Sequence, residues 1–181
     1  HVDKEGNERY VYKALIGQLS YYDGWIYYSD WNYGNNSYFY SMNLYRIRPN
    51  GEDLQHIYNS INMDDGYFDG FQIFDGIIYY NTNNTIFTTD LMGEQKTIVY
   101  DNNSIKHVQI VDNKIFLLSD NKAFSLDLNG KNGRLIIEDK DLIRIFIDEK
   151  NIYLFKKTQI DYCDLDGQNY KELITQIDGW P

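Results

Sequence analysis

The side chains with the clearest chemical promise lie in two short stretches, residues 31–40 (WNYGNNSYFY) and 62–67 (NMDDGY). Exposed aromatic rings stack on the C–H face of a sugar ring, while neighbouring amides and carboxylates bond its hydroxyl groups. The same residue types on protruding loops also suit recognition of a protein surface. The candidate ligand-binding residues are therefore Trp31, Tyr33, Tyr38, Tyr40, Asp64, Asp65 and Tyr67.

Two plainer explanations of these stretches stay open. Residues 31–40 are also explained as a longer hairpin that turns at Gly34-Asn35-Asn36 and packs its rings on a neighbouring sheet. Asp64 and Asp65 would suit a calcium ion, although two adjacent carboxylates more commonly face water.

A turn followed by an Ile-aromatic pair recurs through the chain, and the two stretches can be placed relative to this repeat. The copies begin at Asp23, Asp75, Asp112 and Asp148, and each is followed by a second turn that ends in Gly51, Gly93, Gly130 or Gly167. The Ile of the first motif precedes the Gly of the second by 25, 15, 15 and 15 residues, and that Gly precedes the next Ile by 27, 22 and 22. The unit is therefore 37 residues, with about ten extra residues inside the first copy and about five between the first and second.

A repeat of this length, made of short strands without helical periodicity, predicts an all-β β-propeller of four-stranded antiparallel blades. Strand b of the second copy, Ile77 to Asn81, is apolar on both faces, as expected for a blade packed between two neighbours. In such a fold the b–c and d–a connections emerge together on the face that usually binds ligands. Both insertions fall in those connections.

The repeat divides the chain into four whole blades with a partial blade at each end. We expect a partial blade at 1–13, blades at about 14–60, 61–102, 103–139 and 140–175, and the start of another at 176–181. These ends predict a segment of a longer propeller, or one completed by a second copy of the chain, since an open array leaves an exposed sheet edge.

The first copy carries a family resemblance. Tyr27-Tyr28-Ser29-Asp30, followed by Leu44-Tyr45-Arg46-Ile47-Arg48-Pro49-Asn50-Gly51, resembles the YWTD repeat of low-density-lipoprotein-receptor-type propellers. The Tyr-, Asn- and Lys-rich style is similar to bacterial propeller domains of unknown function that resemble the prolow-density lipoprotein receptor-related protein. The resemblance implies a non-enzymatic domain that is extracellular or in the cell envelope, and it supplies no catalytic residues.

Composition excludes several classes of partner. The chain has 27 acidic and 17 basic residues, a net charge of −10 and no run of five or more basic residues, so nucleic acid and anionic membrane surfaces are poor partners. No stretch approaches 18 uninterrupted apolar residues, so no transmembrane segment is expected. The single cysteine, Cys163, rules out an internal disulfide and a CxxC zinc site.

Motifs for catalysis or cofactor binding are absent from the sequence. It contains no GxxxxGK[ST], GxGxxG, GxSxG or HExxH, and His1, His56 and His107 are scattered. Cys163 is expected to be a small buried residue of strand c. The segment from Asp127 to Glu138 imitates a calcium loop, but Lys131 and Asn132 make a hairpin turn the better explanation. We therefore predict no cofactor, with calcium as a weak alternative.

Three functions are compatible with the composition, the motifs and the repeat. The favoured one is a non-catalytic binding module of a secreted or cell-surface bacterial protein that recognises carbohydrate or protein through the b–c and d–a loops. The second is a structural or assembly domain whose open ends join further blades or another copy. The third is a metal-dependent propeller lyase or hydrolase, which fold alone does not establish.

Overall fold

Four antiparallel sheets of four strands each make up the structure, a computed structural model. It describes residues 16–33, 40–59, 70–82, 84–102 and 104–175, with the backbone alone at 16, 31–33, 40–42 and 59. In each sheet the strands are hydrogen-bonded in chain order. The partial blades predicted at 1–13 and 176–181 lie outside the described residues.

The strands follow the predicted repeat, and strands a to d of each sheet are numbered in chain order. Sheet 1 has β1 (Ile16–Tyr22), β2 (Trp25–Tyr33), β3 (Tyr40–Ile47) and β4 (Gln55–Asn59). Sheet 2 has β5 (Gly70–Phe74), β6 (Ile77–Asn81), β7 (Thr85–Asp90) and β8 (Thr97–Asp101). Sheet 3 has β9 (Ile105–Val111), β10 (Lys114–Ser119), β11 (Lys122–Asp127) and β12 (Arg134–Glu138). Sheet 4 has β13 (Leu142–Ile147), β14 (Asn151–Lys156), β15 (Gln159–Asp164) and β16 (Lys171–Thr175).

The chain divides into two compact units. The first is His1–Tyr80 with Thr88–Lys96 and contains sheet 1, while the second is Asn81–Phe87 with Thr97–Pro181 and contains sheets 3 and 4. The division passes through sheet 2. None of the described residues forms a helix with the length and apolar character needed to span a membrane.

The a–b turns of sheets 1 and 2 owe their shape to residues that accept a positive φ. Asp23 and Gly24 have φ of 46° and 75°, and Asp75 and Gly76 have 48° and 74°. Two consecutive positive φ values define the type I′ turn, whose twist matches that of the strands it joins. The Asp-Gly pairs therefore fix the pairing register between strand a and strand b.

The c–d turns of sheets 2 and 4 are built around an aspartate. Asp164 Oδ1 accepts hydrogen bonds from the backbone N–H of Asp166 at 3.1 Å and of Gln168 at 2.7 Å. Asp90 Oδ1 accepts equivalent bonds from Met92 and Glu94. The carboxylate thus satisfies the turn's own backbone donors, which explains why it recurs at this position.

The glycine of the c–d turn also lets the turn approach the preceding sheet. A Cβ atom on Gly93 would lie 2.2 Å from the Ile57 carbonyl oxygen, and one on Gly130 would lie 1.9 Å from that of Val99. No side chain fits at such distances. The glycines are therefore needed both for their positive φ and for contact between successive sheets.

In the second unit, sheets 3 and 4 share an apolar core. Its fully buried members include Phe116 and Leu118 from β10 and Ile145, Ile152 and Leu154 from sheet 4. Gln109 adds a polar clamp at the same junction. Its side-chain amide donates to the Ile147 carbonyl at 2.5 Å and accepts from the Ile147 N–H at 2.9 Å.

Coverage of strand b differs between sheets. In β10 the residues Ile115, Phe116, Leu117 and Leu118 are each 0% exposed, so both faces are covered. In β6 the residues from Ile78 to Asn81 are buried, although Ile77 is 40% exposed. In β14, Ile152 and Leu154 are buried in the core shared with sheet 3, whereas Tyr153 and Phe155 are only partly buried.

Candidate binding face

The b–c hairpin of sheet 1 is longer than its counterparts. β2 and β3 stay paired from Ile26↔Ile47 as far as Tyr33↔Tyr40. Among the described residues, β1 pairs with β2 as far as Ile16↔Asp30, and β4 pairs with β3 as far as Asn43↔Asn59. Beyond Asp30↔Asn43, β2 and β3 stay paired for three further residue pairs. We call residues 31–33 and 40–42 the ribbon.

Strand alternation divides the ribbon into two faces. Directly opposed residues of an antiparallel pair lie on one face, and alternate pairs share it. The pairs Trp31↔Met42 and Tyr33↔Tyr40 thus occupy one face, and Asn32↔Ser41 occupies the other. The aromatic positions of the ribbon are therefore gathered on one side by the backbone register.

The predicted site residues differ in how far the structure describes them. Trp31, Tyr33 and Tyr40 lie in the paired strands of the ribbon. Only the backbone of these three residues is described. Tyr38, Asp64, Asp65 and Tyr67 lie outside the described residues altogether, so their place in the site stays a prediction.

The base of the ribbon is fixed by buried polar contacts. Ser29 is 1% exposed and its hydroxyl accepts the backbone N–H of Gln18 at 2.8 Å. Asn43, which is 5% exposed, lies 3.4 Å through Oδ1 from His56 Nε2. The ring of Tyr45 stacks on Tyr28 and contacts His56. The sheet therefore holds both strands of the ribbon where they leave it.

In the second unit, the b–c turns and d–a connections are hydrogen-bonded to one another. The Asn102 N–H donates to the Asn84 carbonyl at 2.8 Å, and the Asp120 N–H donates to the Ser104 carbonyl at 3.3 Å. Further along, the Asp139 N–H donates to Asn121 and the Lys157 N–H donates to Asp141. These bonds show that the b–c and d–a connections lie side by side in this unit, as expected for one face of a propeller.

A buried ion network lies beneath this set of connections in sheet 4. Lys156 Nζ lies 2.5 Å from Asp139 Oδ2 and 2.8 Å from Asp161 Oδ2. The side chain of Asp161 is 0% exposed and that of Lys156 is 11% exposed. Gln159 donates to both Asp161 oxygens, and the Tyr170 hydroxyl donates to Asp161 Oδ2. The network joins the b–c hairpin of sheet 4 to the connection that enters the sheet.

The electrostatics of the network favour its charged form. Burial raises the pKa of Asp161, but hydrogen bonds from Lys156, Tyr170 and Gln159 outweigh burial and hold that pKa below its ordinary value. Burial likewise opposes the charge on Lys156, yet its bonds to Asp139, Asp161 and Tyr170 raise its pKa overall. The hydrogen bond from Lys156 lowers the pKa of Asp139. The charges are thus mutually satisfied, as a structural network requires.

Sequence reasoning did not identify this network as a site. Lys156 occupies the repeat position held by Asp30, Thr82 and Ser119, and Asp161 the position held by Tyr45, Phe87 and Phe124. Two charged residues that replace smaller polar or aromatic residues, one in each strand of one hairpin, are the signal that would have revealed it.

The Trp25 ring, at the other end of sheet 1, is engaged within the protein. The guanidinium carbons of Arg46 and Arg48 lie 4.2 and 3.9 Å from its ring centroid. Arg46 also donates to Gln55 Oε1 at 2.7 Å and to the Leu91 carbonyl at 3.2 Å. Trp25 therefore serves cation–π packing between turns.

The scattered nucleophile and base candidates lie in ordinary strands. His56 belongs to β4 and His107 to β9. Cys163 in β15 is 1% exposed, and burial followed by the charge of Asp164 raises the pKa of its thiol to about 11. A thiol with this pKa stays protonated at neutral pH and is a poor nucleophile.

The calcium-like segment after Asp127 is a hairpin turn. The Gly130 N–H donates to the Asp127 carbonyl at 2.8 Å, and Asn132 Nδ2 donates to Asp127 Oδ2 at 2.6 Å. The Asp127 carboxylate is thus engaged by its own turn. Within the described ranges, no three His, Cys, Asp or Glu side chains are grouped as a metal site would need.

Comparison with known proteins identifies a fold and no family. No protein-family model matches this chain, and no curated protein matches it. Among solved structures, a chain of a nidogen/laminin complex superimposes with a TM-score of 0.65 at 15% identity, over 88% of this chain and 65% of its own length. The Pyrococcus horikoshii acylaminoacyl peptidase gives 0.68 at 11% identity, over 92% of this chain and 33% of its own.

A third neighbour decides the fold. The β-propeller domain of the Trilobed protease from Pyrococcus furiosus gives a TM-score of 0.64 at 11% identity, over 90% of this chain and 58% of its own. The chain has a β-propeller fold. It spans less than two thirds of each of these neighbours, and identities this low show fold alone. The predicted fold class is confirmed, and its sheets are propeller blades.

Proposed function

We propose that this chain is a non-catalytic binding module of a secreted or cell-surface bacterial protein. It recognises a carbohydrate or protein ligand through the b–c and d–a loop face of its first blade. The observation that carries the proposal is the ribbon, in which strands b and c stay paired for three residue pairs beyond Asp30↔Asn43 and which has the positions of Trp31, Tyr33 and Tyr40 on one face.

The ribbon is a good binding element because the blade does not need it. Blades 2 to 4 close the same hairpin with a short turn, since the gaps between their strands b and c run only from Asn81 to Thr85, Ser119 to Lys122 and Lys156 to Gln159. Two aromatic residues on one strand and one on its partner give a surface on which a sugar ring or an apolar side chain stacks.

The charge of the chain narrows the ligand further. A net charge of −10 repels acidic polysaccharides and nucleic acids, so the ligand is neutral or basic. Neutral glycans satisfy this condition and also match the amides that flank the aromatic residues. The cell-surface setting rests on the resemblance of the first repeat to receptor-type propellers.

The proposal is tested on an array of neutral and acidic glycans, with a parallel screen of surface proteins. We expect binding to neutral glycans or to a protein, and a loss of roughly tenfold or more in affinity for Trp31→Ala and Tyr33→Ala. Asn32→Ala, on the opposite face of the same ribbon, is the matched control and should bind as the parent does. Unchanged binding by both aromatic variants would refute the proposed site.

A further inference from the structure

The outer face of sheet 4, which is the face that does not contact sheet 3, is an apolar surface and is partly exposed. On this face Phe146 is 50% exposed and Ile143 is 41% exposed, while Tyr153, Phe155 and Tyr162 are partly buried. The rings of Phe146, Tyr153 and Tyr162 form a row with centroid separations of 6.1 and 6.2 Å. Beside it lies a cavity of about 250 Å³ lined by Ile143, Arg144, Phe146 and Phe155.

The repeat indicates what kind of surface belongs on this face. Tyr153 and Phe155 follow Ile152 at the same spacing as Phe116 and Leu118 follow Ile115. Phe116 and Leu118 are 0% exposed and belong to the core shared with sheet 4. The corresponding residues of sheet 4 therefore stand where a following blade of the same kind would cover them.

Sheet 1 presents the matching half of such a junction. By register, Leu19 and Tyr21 of β1 correspond to Ile145 and Ile147 of β13. Ile145 and Ile147 are 0% and 2% exposed at the junction with sheet 3, whereas Leu19 and Tyr21 are 58% and 65% exposed. Because Tyr28 and Ile47 on the same face are already buried, the open part of this face runs along β1.

We propose that the outer face of sheet 4 docks onto the β1 face of sheet 1 in a second copy of this chain, so that copies associate head to tail. The two faces are the two halves of the junction that the chain already makes between its own blades. A contact between different patches of identical chains is heterologous and propagates until a ring closes.

Arg144 supplies a polar anchor for this contact. Arg144 stands eight residues before Ile152, as Gln18 stands eight residues before Ile26. From that position the Gln18 side chain donates to the Phe71 carbonyl at 2.8 Å and accepts from the Phe71 N–H at 2.9 Å. In the proposed contact Arg144 donates in the same way to a backbone carbonyl of β1 in the second copy.

The test is the mass of the chain in solution, measured by sedimentation over a range of concentrations. The parent chain is expected to form dimers and larger species, and more of them at higher salt, because salt screens the repulsion between copies of net charge −10. Phe146→Asp and Tyr21→Asp each remove one half of the contact, so each variant alone should be monomeric. Leu135→Asp, at a residue of β12 that is 48% exposed, is the control and should associate as the parent does.

Mixing the two variants gives the decisive result. Phe146→Asp keeps an intact sheet 1 and Tyr21→Asp keeps an intact sheet 4, so an equimolar mixture should form a dimer that grows no further. A monomeric parent, a monomeric mixture, or association by Tyr21→Asp alone would each overturn the proposal. Thermal unfolding of each variant confirms that it is folded, and Leu19→Asp replaces Tyr21→Asp if that variant is not.

Discussion

The b–c hairpins of blades 1 and 3 occupy the same place in the repeat and are built differently. In blade 3 the pair Ser119↔Lys122 closes the hairpin, and Asp120 and Asn121 in the turn are hydrogen-bonded to the neighbouring d–a connections. In blade 1 the strands pass the corresponding level and stay paired to Tyr33↔Tyr40. The short hairpin is hydrogen-bonded to its neighbours, while the long one continues for three further residue pairs.

We infer from this difference that β10 provides stability and the ribbon provides recognition. The residues of β10 are buried on both faces, so they hold neighbouring blades together. None of the described residues of β1 and β4 pairs with the ribbon, so its loss removes no ladder bond among them. We expect substitutions in β10 to change the free energy of unfolding and substitutions in the ribbon to change binding.

The largest effect is expected at Phe116. This ring is 0% exposed in the core between blades 3 and 4, so Phe116→Ala should lower the free energy of unfolding by about 3–5 kcal/mol. Urea unfolding followed by circular dichroism measures the change. A loss below about 1 kcal/mol would show that β10 does not contribute to stability as proposed.

The ion network of blade 4 should come next. Asp161→Asn leaves Lys156 buried with one fewer carboxylate, and we expect a loss of about 3 kcal/mol at neutral pH. Because the folded protein lowers the pKa of Asp161, its contribution is present above the ordinary pKa of about 4 and disappears as pH falls through the lower folded value.

The raised pKa of Lys156 acts in the opposite direction. Its contribution is present below its ordinary pKa of about 10.4 and disappears only as pH rises through the higher folded value. The difference between the parent and Asp161→Asn, measured by urea unfolding, should therefore stay level from about pH 5 to 9 and shrink below about pH 4. A difference that does not depend on pH in the acid range would contradict the proposed ion pairing.

A glycine pair sharpens the account of how blades meet. Gly130→Ala would place Cβ 1.9 Å from the Val99 carbonyl oxygen at a φ of 76°, and we expect a loss of about 1–3 kcal/mol. Gly167 has a similar φ of 69°, but its nearest contact is 3.0 Å from Ile136 Cγ2, so Gly167→Ala should cost less. Equal losses in thermal unfolding would mean that φ alone, and not the approach to the preceding blade, explains the glycine.

The smallest effect on stability is expected in the ribbon. If Trp31 serves the ligand, Trp31→Ala should change the free energy of unfolding by less than about 0.5 kcal/mol, the range of substitutions that leave the core intact. The same urea titration used for Phe116→Ala measures it. A loss comparable to that of Phe116→Ala would indicate that Trp31 packs into the blade.

The repeat allowed the fold to be predicted because its turns carry local chemistry. The positive φ of Gly93 and the carboxylate of Asp90 are demands of a four-residue turn, and such demands are visible in sequence. The pairing of Lys156 with Asp139 was not predictable in this way, because Asp139 reaches it from the previous repeat. Local patterns also do not tell whether a blade face is covered, since Phe155 and Leu118 occupy the same repeat position with different exposure.

The site was predictable only as a location. The ten residues that the period does not require indicated the b–c hairpin of blade 1, and the register adds that Trp31, Tyr33 and Tyr40 share one face of the ribbon. Which ligand meets that face depends on side-chain geometry beyond any repeat. The assignment of Asp64, Asp65 and Tyr67 to the same site stays a prediction.

The most direct test restores the period of the repeat in blade 1. Replacing residues 31–42 by Asn-Gly joins Asp30 to Asn43, which are directly opposed, through a two-residue hairpin turn. Thermal unfolding and glycan or protein binding are then measured on the same preparation. The account predicts an unchanged melting temperature with complete loss of binding, whereas an unfolded protein or undiminished binding would contradict it.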